Sequence, residues 1–226
     1  MGSLHHDQGD INMDIAILLY ERFTALDAVG PYEVLSRVPG ARVSFVATEA
    51  GPLSTDSGML TLVAERSIAE VPRPDIVLVP GGPGEVDARA GAETLQWLRD
   101  VHETSTWTAS VCTGSLILAA AGLLDGRRAT SHWLALERLG ELGATPVSER
   151  VVFDGKIVTG AGVSAGIDMA LALAAELAGE EVAQAIQLGI EYDPQPPFDA
   201  GSPEKAPPAI VEAARARSRF AAAPAG

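Results

Sequence analysis

Cys112 is the one cysteine of the chain. A single thiol forms no internal disulfide and excludes zinc sites that need two or more thiolates. It lies between an apolar run, WTASV at Trp107 to Val111, and an alanine-rich stretch, Leu116 to Leu124. A strand, a small-residue junction and a helix make the layout of a nucleophile elbow, where a side chain is held out on a strained turn. Free N–H groups and the helix dipole stabilise a thiolate there. A thiol pKa of about 8.5 can then fall well below about 7. The same position also suits an inert core cysteine. These residues alone leave both readings open.

Asp27 is the best-placed carboxylate, an acid between Leu26 and Ala28, just before Gly30 and Pro31. It can serve as an acid or base, or as a helix N-cap. Pro80 to Gly84, PGGPG, lacks the lysine and the glycine spacing of a phosphate loop. Its backbone can offer an N–H to a reacting group as in an oxyanion hole, or can be a plain strand-to-helix turn. His132, beside Trp133, is a candidate base or a structural hydrogen-bonding group; His102 falls on a polar helix. So few histidines with one cysteine make a catalytic metal site a poor expectation, and no cofactor is called for.

These residues need elements to hold them. MDIAILLY at Met13 to Tyr20, VSFVA at Val43 to Ala47, IVLV at Ile76 to Val79 and WTASV read as buried strands. Thr24 to Gly30 reads as a loop and Pro31 as the opening of a helix. Thr61 to Ala64 reads as a strand leaving the main sheet. Val151 to Phe153 and Ile157 to Thr159 follow, then helices from about Ser164 to Leu177 and from Glu180 to Ile190. Strands alternating with helices predict an α/β fold with a mostly parallel central sheet covered on both faces. Ligands of such sheets sit beyond the carboxyl ends of strands. The segments with Asp27, Gly81–Gly82 and Cys112 each follow a strand, so they are expected to converge on one pocket.

Composition narrows the function. The chain has 226 residues, 47% of them hydrophobic and 20% charged, which suits one domain with a sizeable core. A net charge of −14 opposes binding to phosphate backbones and anionic membranes, so neither nucleic acid nor membrane is an expected partner. No apolar run is long enough to span a bilayer and no secretory signal is legible, so a cytoplasmic location is expected. Residues 1–12, with His5 and His6, read as a disordered extension or an expression remnant. Residues 13–192 read as the α/β domain, and 193–226 as a proline-rich arm with a short helix.

The stretches IVLVPGG at Ile76 to Gly82, SVCTGSL at Ser110 to Leu116, and Ala121 to Thr130 with His132 and Trp133 resemble the ThiJ/PfpI superfamily, class I glutamine-amidotransferase-like. Within it, the Leu26–Asp27 loop, Gly160 to Met169 and the tail from Glu191 to Pro203 resemble the isonitrile (isocyanide) hydratases. The resemblance implies a flavodoxin-like three-layer sandwich and a homodimer. It implies a nucleophilic Cys112, an acid/base Asp27, Thr113 as a polar neighbour of the substrate and Gly82 as a backbone contact. The implied reaction hydrates an isocyanide to an N-substituted formamide through a cysteine thioimidate, without cofactor. Thr113 stands where protease-like branches often carry histidine. Asp27 stands where the glyoxalase and deglycase branch usually carries glutamate. A glyoxalase or deglycase, and a ligand- or redox-sensing module, are the alternatives.

Overall fold

Alternation of apolar residues along the strands builds two cores, one on each face of a single sheet. In the computed structural model, which describes residues 12–220, Ile15 and Ile17 enter one core and Ala16 and Leu18 the other. Ile76 and Leu78 alternate with Val77 and Val79 in the same way. This is the period-two pattern of strands buried on both sides.

The elements follow in chain order. β1 (Met13–Leu18) leads to α1 (Ala25–Leu35) and β2 (Ala41–Ala47). β3 (Gly51–Ser54) and β4 (Thr61–Ala64) form a separate antiparallel hairpin, and β5 (Arg66–Ser67) returns to the main sheet. β6 (Ile76–Val79) feeds α2 (Glu85–Ala88) and α3 (Ala92–Thr104); β7 (Trp107–Val111) feeds α4 (Gly114–Ala120). β8 (Arg128–Ala129) pairs with β9 (Thr145–Pro146), and α5 (Leu136–Glu141) lies between them. β10 (Val151–Asp154) and β11 (Ile157–Gly160) precede α6 (Ala165–Ala178), α7 (Glu180–Gly189) and α8 (Pro208–Ala216).

The seven-stranded sheet runs β10-β11-β7-β6-β1-β2-β5, and only β10 is antiparallel to its neighbour. α1 and α6 cover one face, with α7 against α6, while α3, α4 and α5 cover the other. This is the α/β, flavodoxin-like sandwich with a mostly parallel sheet that the sequence predicts. No helix among the described residues is long and apolar enough to cross a membrane. The expected extension at 1–12 lies, apart from Asn12, outside the described residues. Residues 193 to 207 form no helix or strand ahead of α8.

One boundary differs from the sequence reading. Thr24 to Gly30 is not a loop closed by Pro31: α1 begins at Ala25 and Pro31 lies inside it. Proline removes only the bond its N–H would give to the Asp27 carbonyl, and burial of Ala28, Val34 and Leu35 holds the helix across that gap.

The junction between β7 and α4 is set by backbone contact. A methyl group on Gly114 would lie 2.1 Å from the Val79 carbonyl oxygen, so β6 and the start of α4 meet through a glycine. Gly114→Ala is therefore expected to cost about 3 kcal/mol, read as a lower urea midpoint at unchanged slope. An unchanged midpoint would contradict this account of the junction.

Candidate active site

β7 ends at Val111, and the next residue turns sharply. Cys112 has φ +57°, the left-handed region that non-glycine residues rarely occupy. Such strain persists only where neighbours over-determine it. Here the Cys112 N–H is shared between the carbonyls of Gly160 at 3.0 Å and Ala161 at 2.9 Å. Its carbonyl accepts the hydroxyls of Ser131 at 3.0 Å and Ser115 at 3.1 Å. The side chain is buried, and the amides of Val163 and Thr113 point at its sulfur. Val163 is itself strained, a β-branched residue at φ +33°.

Asp27 lies in the first turn of α1 and is fully buried. It does not cap the helix. Its Oδ2 accepts the Gly81 N–H at 2.9 Å, across from the end of β6. Its Oδ1 makes no conventional hydrogen bond within the described residues, and the Cys112 thiol is a polar side chain that faces the carboxyl. The approach depends on glycine. A Cβ on Gly81 would lie 2.5 Å from the Thr113 nitrogen and 2.9 Å from Asp27 Oδ2. The three segments expected to converge do meet.

Burial governs the electrostatics. Loss of solvent pushes the Asp27 carboxyl up to about 7; the Gly81 amide and the Cys112 thiol pull it down, and Asp56 pushes it further up. The Cys112 thiol is pushed up to about 12, by burial first and by the Asp27 charge second, against the Val163 and Thr113 amides. The thiolate below 7 that a helix N-terminus can produce is not found. α4 is only seven residues long, and two acids buried together oppose each other's ionisation. The pair therefore holds one proton between about 7 and about 12, and the titrations belong to the pair.

Gly82 and Thr113 are engaged with each other. The Gly82 N–H donates to Thr113 Oγ1 at 2.9 Å, and that hydroxyl lies 3.4 Å from the Gly82 carbonyl. The Gly82 N–H thus has a partner inside the protein rather than being an open donor. His132 takes the structural role. Its Nδ1 accepts the Leu134 N–H at 3.3 Å and its ring packs where a Gly162 side chain would be.

The DJ-1/PfpI family model matches residues 13–176. The chain belongs to the DJ-1/PfpI family. It is 45% identical over 206 residues to isonitrile hydratase of Pseudomonas putida, covering 91% of this chain and 90% of that protein. A ThiJ/PfpI family protein from Pseudomonas syringae superposes with a TM-score of 0.88 at 38% identity, over 98% of this chain and 95% of its own. The transcriptional regulator CdhR of Pseudomonas aeruginosa is 32% identical over 76% of this chain, which spans only 53% of the regulator.

In this DJ-1/PfpI protein a cavity of about 390 Å³ adjoins the cysteine turn. Ser131, Val163 and Ala161, each in contact with Cys112, lie in its wall with Trp133, Leu136 and Pro203. Among the described residues, no group of three or more His, Cys, Asp or Glu is placed to hold a metal. Sequence reasoning missed the contribution of β11. Gly160 ends a parallel strand and Ala161 and Val163 follow it, and the Gly-Ala-Gly run after Ile157 to Thr159 is the available signal. Ser131 and Ser115 carried no such signal.

Asp27 holds its proton more tightly in the folded protein than an ordinary carboxyl does. Its contribution to stability is complete below the unfolded pKa near 4 and is lost as pH rises through about 7. Compared with Asp27→Asn, the wild type should lose on the order of 4 kcal/mol across that window, measured by denaturant unfolding at a series of pH values. The Cys112 thiol should also titrate lower in Asp27→Asn, yet stay above its ordinary value because burial remains. A pH-independent stability difference, or an unmoved thiol, contradicts the coupled pair.

Proposed function

We propose that this protein is an isonitrile hydratase, converting an isocyanide and water to the N-substituted formamide. The observation that carries the reading is the buried Asp27 carboxyl set against the buried Cys112 thiol, burial raising the carboxyl toward neutral pH. The likeness to the Pseudomonas putida enzyme over nine-tenths of both chains supports the choice of substrate.

Isocyanide hydration needs a nucleophile at the terminal carbon, a proton on that carbon, and water. Asp27 draws the proton from the Cys112 thiol, and the sulfur attacks the carbon. Asp27 passes the proton to that carbon, giving a thioimidate, R–N=CH–S–Cys112. The carboxylate, ionised again, takes a proton from water as the hydroxide adds, and that proton goes to nitrogen. The C–S bond of the tetrahedral adduct then breaks. Formamide leaves, and the hydroxyl proton returns to the cysteine–aspartate pair. Covalent catalysis splits one difficult addition into two, and a carboxyl poised near neutral pH serves as acid and then as base. Water and these two side chains supply every atom and proton, so the reaction needs no cofactor.

The Val163 and Thr113 amides hold the sulfur as charge develops on it. Thr113 and Gly82, locked together, form the wall beside the reacting carbon. The isocyanide substituent occupies the adjoining cavity. We assign a homodimer in the cytoplasm, with no nucleic-acid partner. The family likeness supports the dimer, a working thiol suits a reducing compartment, and the net charge of −14 disfavours phosphate backbones.

Incubation with cyclohexyl isocyanide should yield N-cyclohexylformamide, detected by mass spectrometry. Cys112→Ala should abolish the product and Asp27→Asn should lower kcat by about a hundredfold or more. Absence of formamide, or formamide made equally by Cys112→Ala, removes the assignment; lactate from methylglyoxal at a higher kcat/KM would replace it with a glyoxalase. For the wild type, kcat/KM should rise with pH through about 7, because a second proton on the pair below that value leaves no base for the thiol.

A further inference from the structure

Beyond the residues matched by the family model, 13–176, the chain returns to the site. After α8, the guanidinium of Arg219 reaches the turn after β6. Nη2 donates to the Gly82 carbonyl at 3.2 Å, and Nη1 to the Pro83 carbonyl at 3.0 Å and to Glu85 Oε1 at 3.0 Å. Its partner Glu85 is a fully buried carboxylate, paired on its other side with Arg89 at 2.8 Å. The proposed chemistry uses neither group. Arg219 also lies over the Phe220 ring at 4.5 Å, and Phe220 packs against the core below. The end of the described chain is thus docked by charge, hydrogen bonds and apolar contact.

The docked turn is the one that builds the site. Gly81 gives its N–H to Asp27, and Gly82 gives its N–H to Thr113, next to the nucleophile. Arg219 holds the carbonyl of the Gly82 residue itself. Backbone amides already frame this turn, the Thr24 N–H on the Gly81 carbonyl at 2.8 Å and the Glu85 N–H on the Gly82 carbonyl at 3.1 Å; the Arg219 guanidinium adds to that frame from a distant part of the chain. A planar guanidinium with several fixed donors can bridge two carbonyls and a carboxylate, which a lysine ammonium does not reproduce.

We propose that Arg219 is a positioning residue of the hydratase site: a strap from the far end of the chain that fixes the Gly81–Gly82 turn and, through it, Asp27 and Thr113. This rests on the hydratase reading for its catalytic consequence, but not for its structural one.

Two measurements on Arg219→Ala and Arg219→Lys test it. The first needs no substrate. Hydrogen–deuterium exchange of the peptide containing Gly81 and Gly82 should accelerate about tenfold or more in Arg219→Ala, with exchange in β1 and β7 unchanged. The second is kinetic. With cyclohexyl isocyanide, kcat should fall about ten- to hundredfold with KM within about twofold, and the rise of kcat/KM near pH 7 should move to higher pH. The sign follows from the Gly81 amide, which pulls the Asp27 carboxyl down and is loosened in the variant. Of the other groups that face Asp27, Cys112 and Asp56 do not contact Arg219, while the Tyr20 hydroxyl, held up by burial and by the Asp27, Cys112 and Glu85 charges, loses the Arg219 charge that pulls it down and stays protonated. Arg219→Lys should remain slow; full recovery by lysine overturns the proposal, because charge alone would then suffice. Unchanged exchange also overturns it, as does a lower kcat with an unmoved pH profile, which marks a structural role only. Faster exchange in a protein whose wild type makes no formamide supports the strap and refutes the hydratase.

Discussion

A carboxyl buried beside a thiol, with no cation among the described residues against either, is the constraint on which the site depends. Asp27 is desolvated from all sides and its nearest fixed donor is a backbone amide. In water such a group ionises freely. Here ionisation is held back until about neutral pH, and the same burial pushes the thiol up. An arginine in place of that amide would have fixed Asp27 as a permanent anion and ended its use as an acid. One neutral N–H orients the carboxyl without deciding its charge.

Backbone, rather than side chains, makes this arrangement possible. Gly81 and Gly114 bring strand ends and helix starts to separations that a Cβ would forbid. The strain they permit is concentrated at Cys112 and countered by hydrogen bonds to its own peptide groups, from the end of β11 and the residue after it, from the turn before Trp133 and from α4. Packed glycines and a strained cysteine are two sides of one design: the sheet edge is closed tightly enough to exclude water, and the nucleophile is turned into the space that remains.

Much of this could be read before folding was known. The strand ends after Met13 to Tyr20, Ile76 to Val79 and Trp107 to Val111 carry apolar runs that end abruptly in small or turn-forming residues, and topology brings such ends together. The start of α1 was not legible, because Pro31 reads locally as a helix opening while its tolerance inside the helix depends on tertiary burial. The direction of the thiol shift is not legible in the sequence for a related reason. A helix N-terminus is visible in sequence, but desolvation and a facing carboxyl are properties of the assembled site. Arg219 was beyond reach, since it acts across 137 residues on a carbonyl that has no sequence signature.

The large negative charge and the chemistry can now be reconciled. Between about pH 7 and about pH 12 the pair itself carries one negative charge, in a site whose nearest donors are neutral amides. An anionic substrate entering there would meet repulsion from the pair and from a surface of net charge −14. A cationic substrate would stabilise both ionised forms and strip the pair of the proton it must deliver. A neutral molecule that develops charge only as the sulfur attacks avoids both penalties, and an isocyanide is such a molecule. The acidity of the chain is thus compatible with the reaction, while the proposed mechanism calls on the burial of Asp27. Substitutions of surface carboxylates should be nearly silent in kcat where substitution of this one is not.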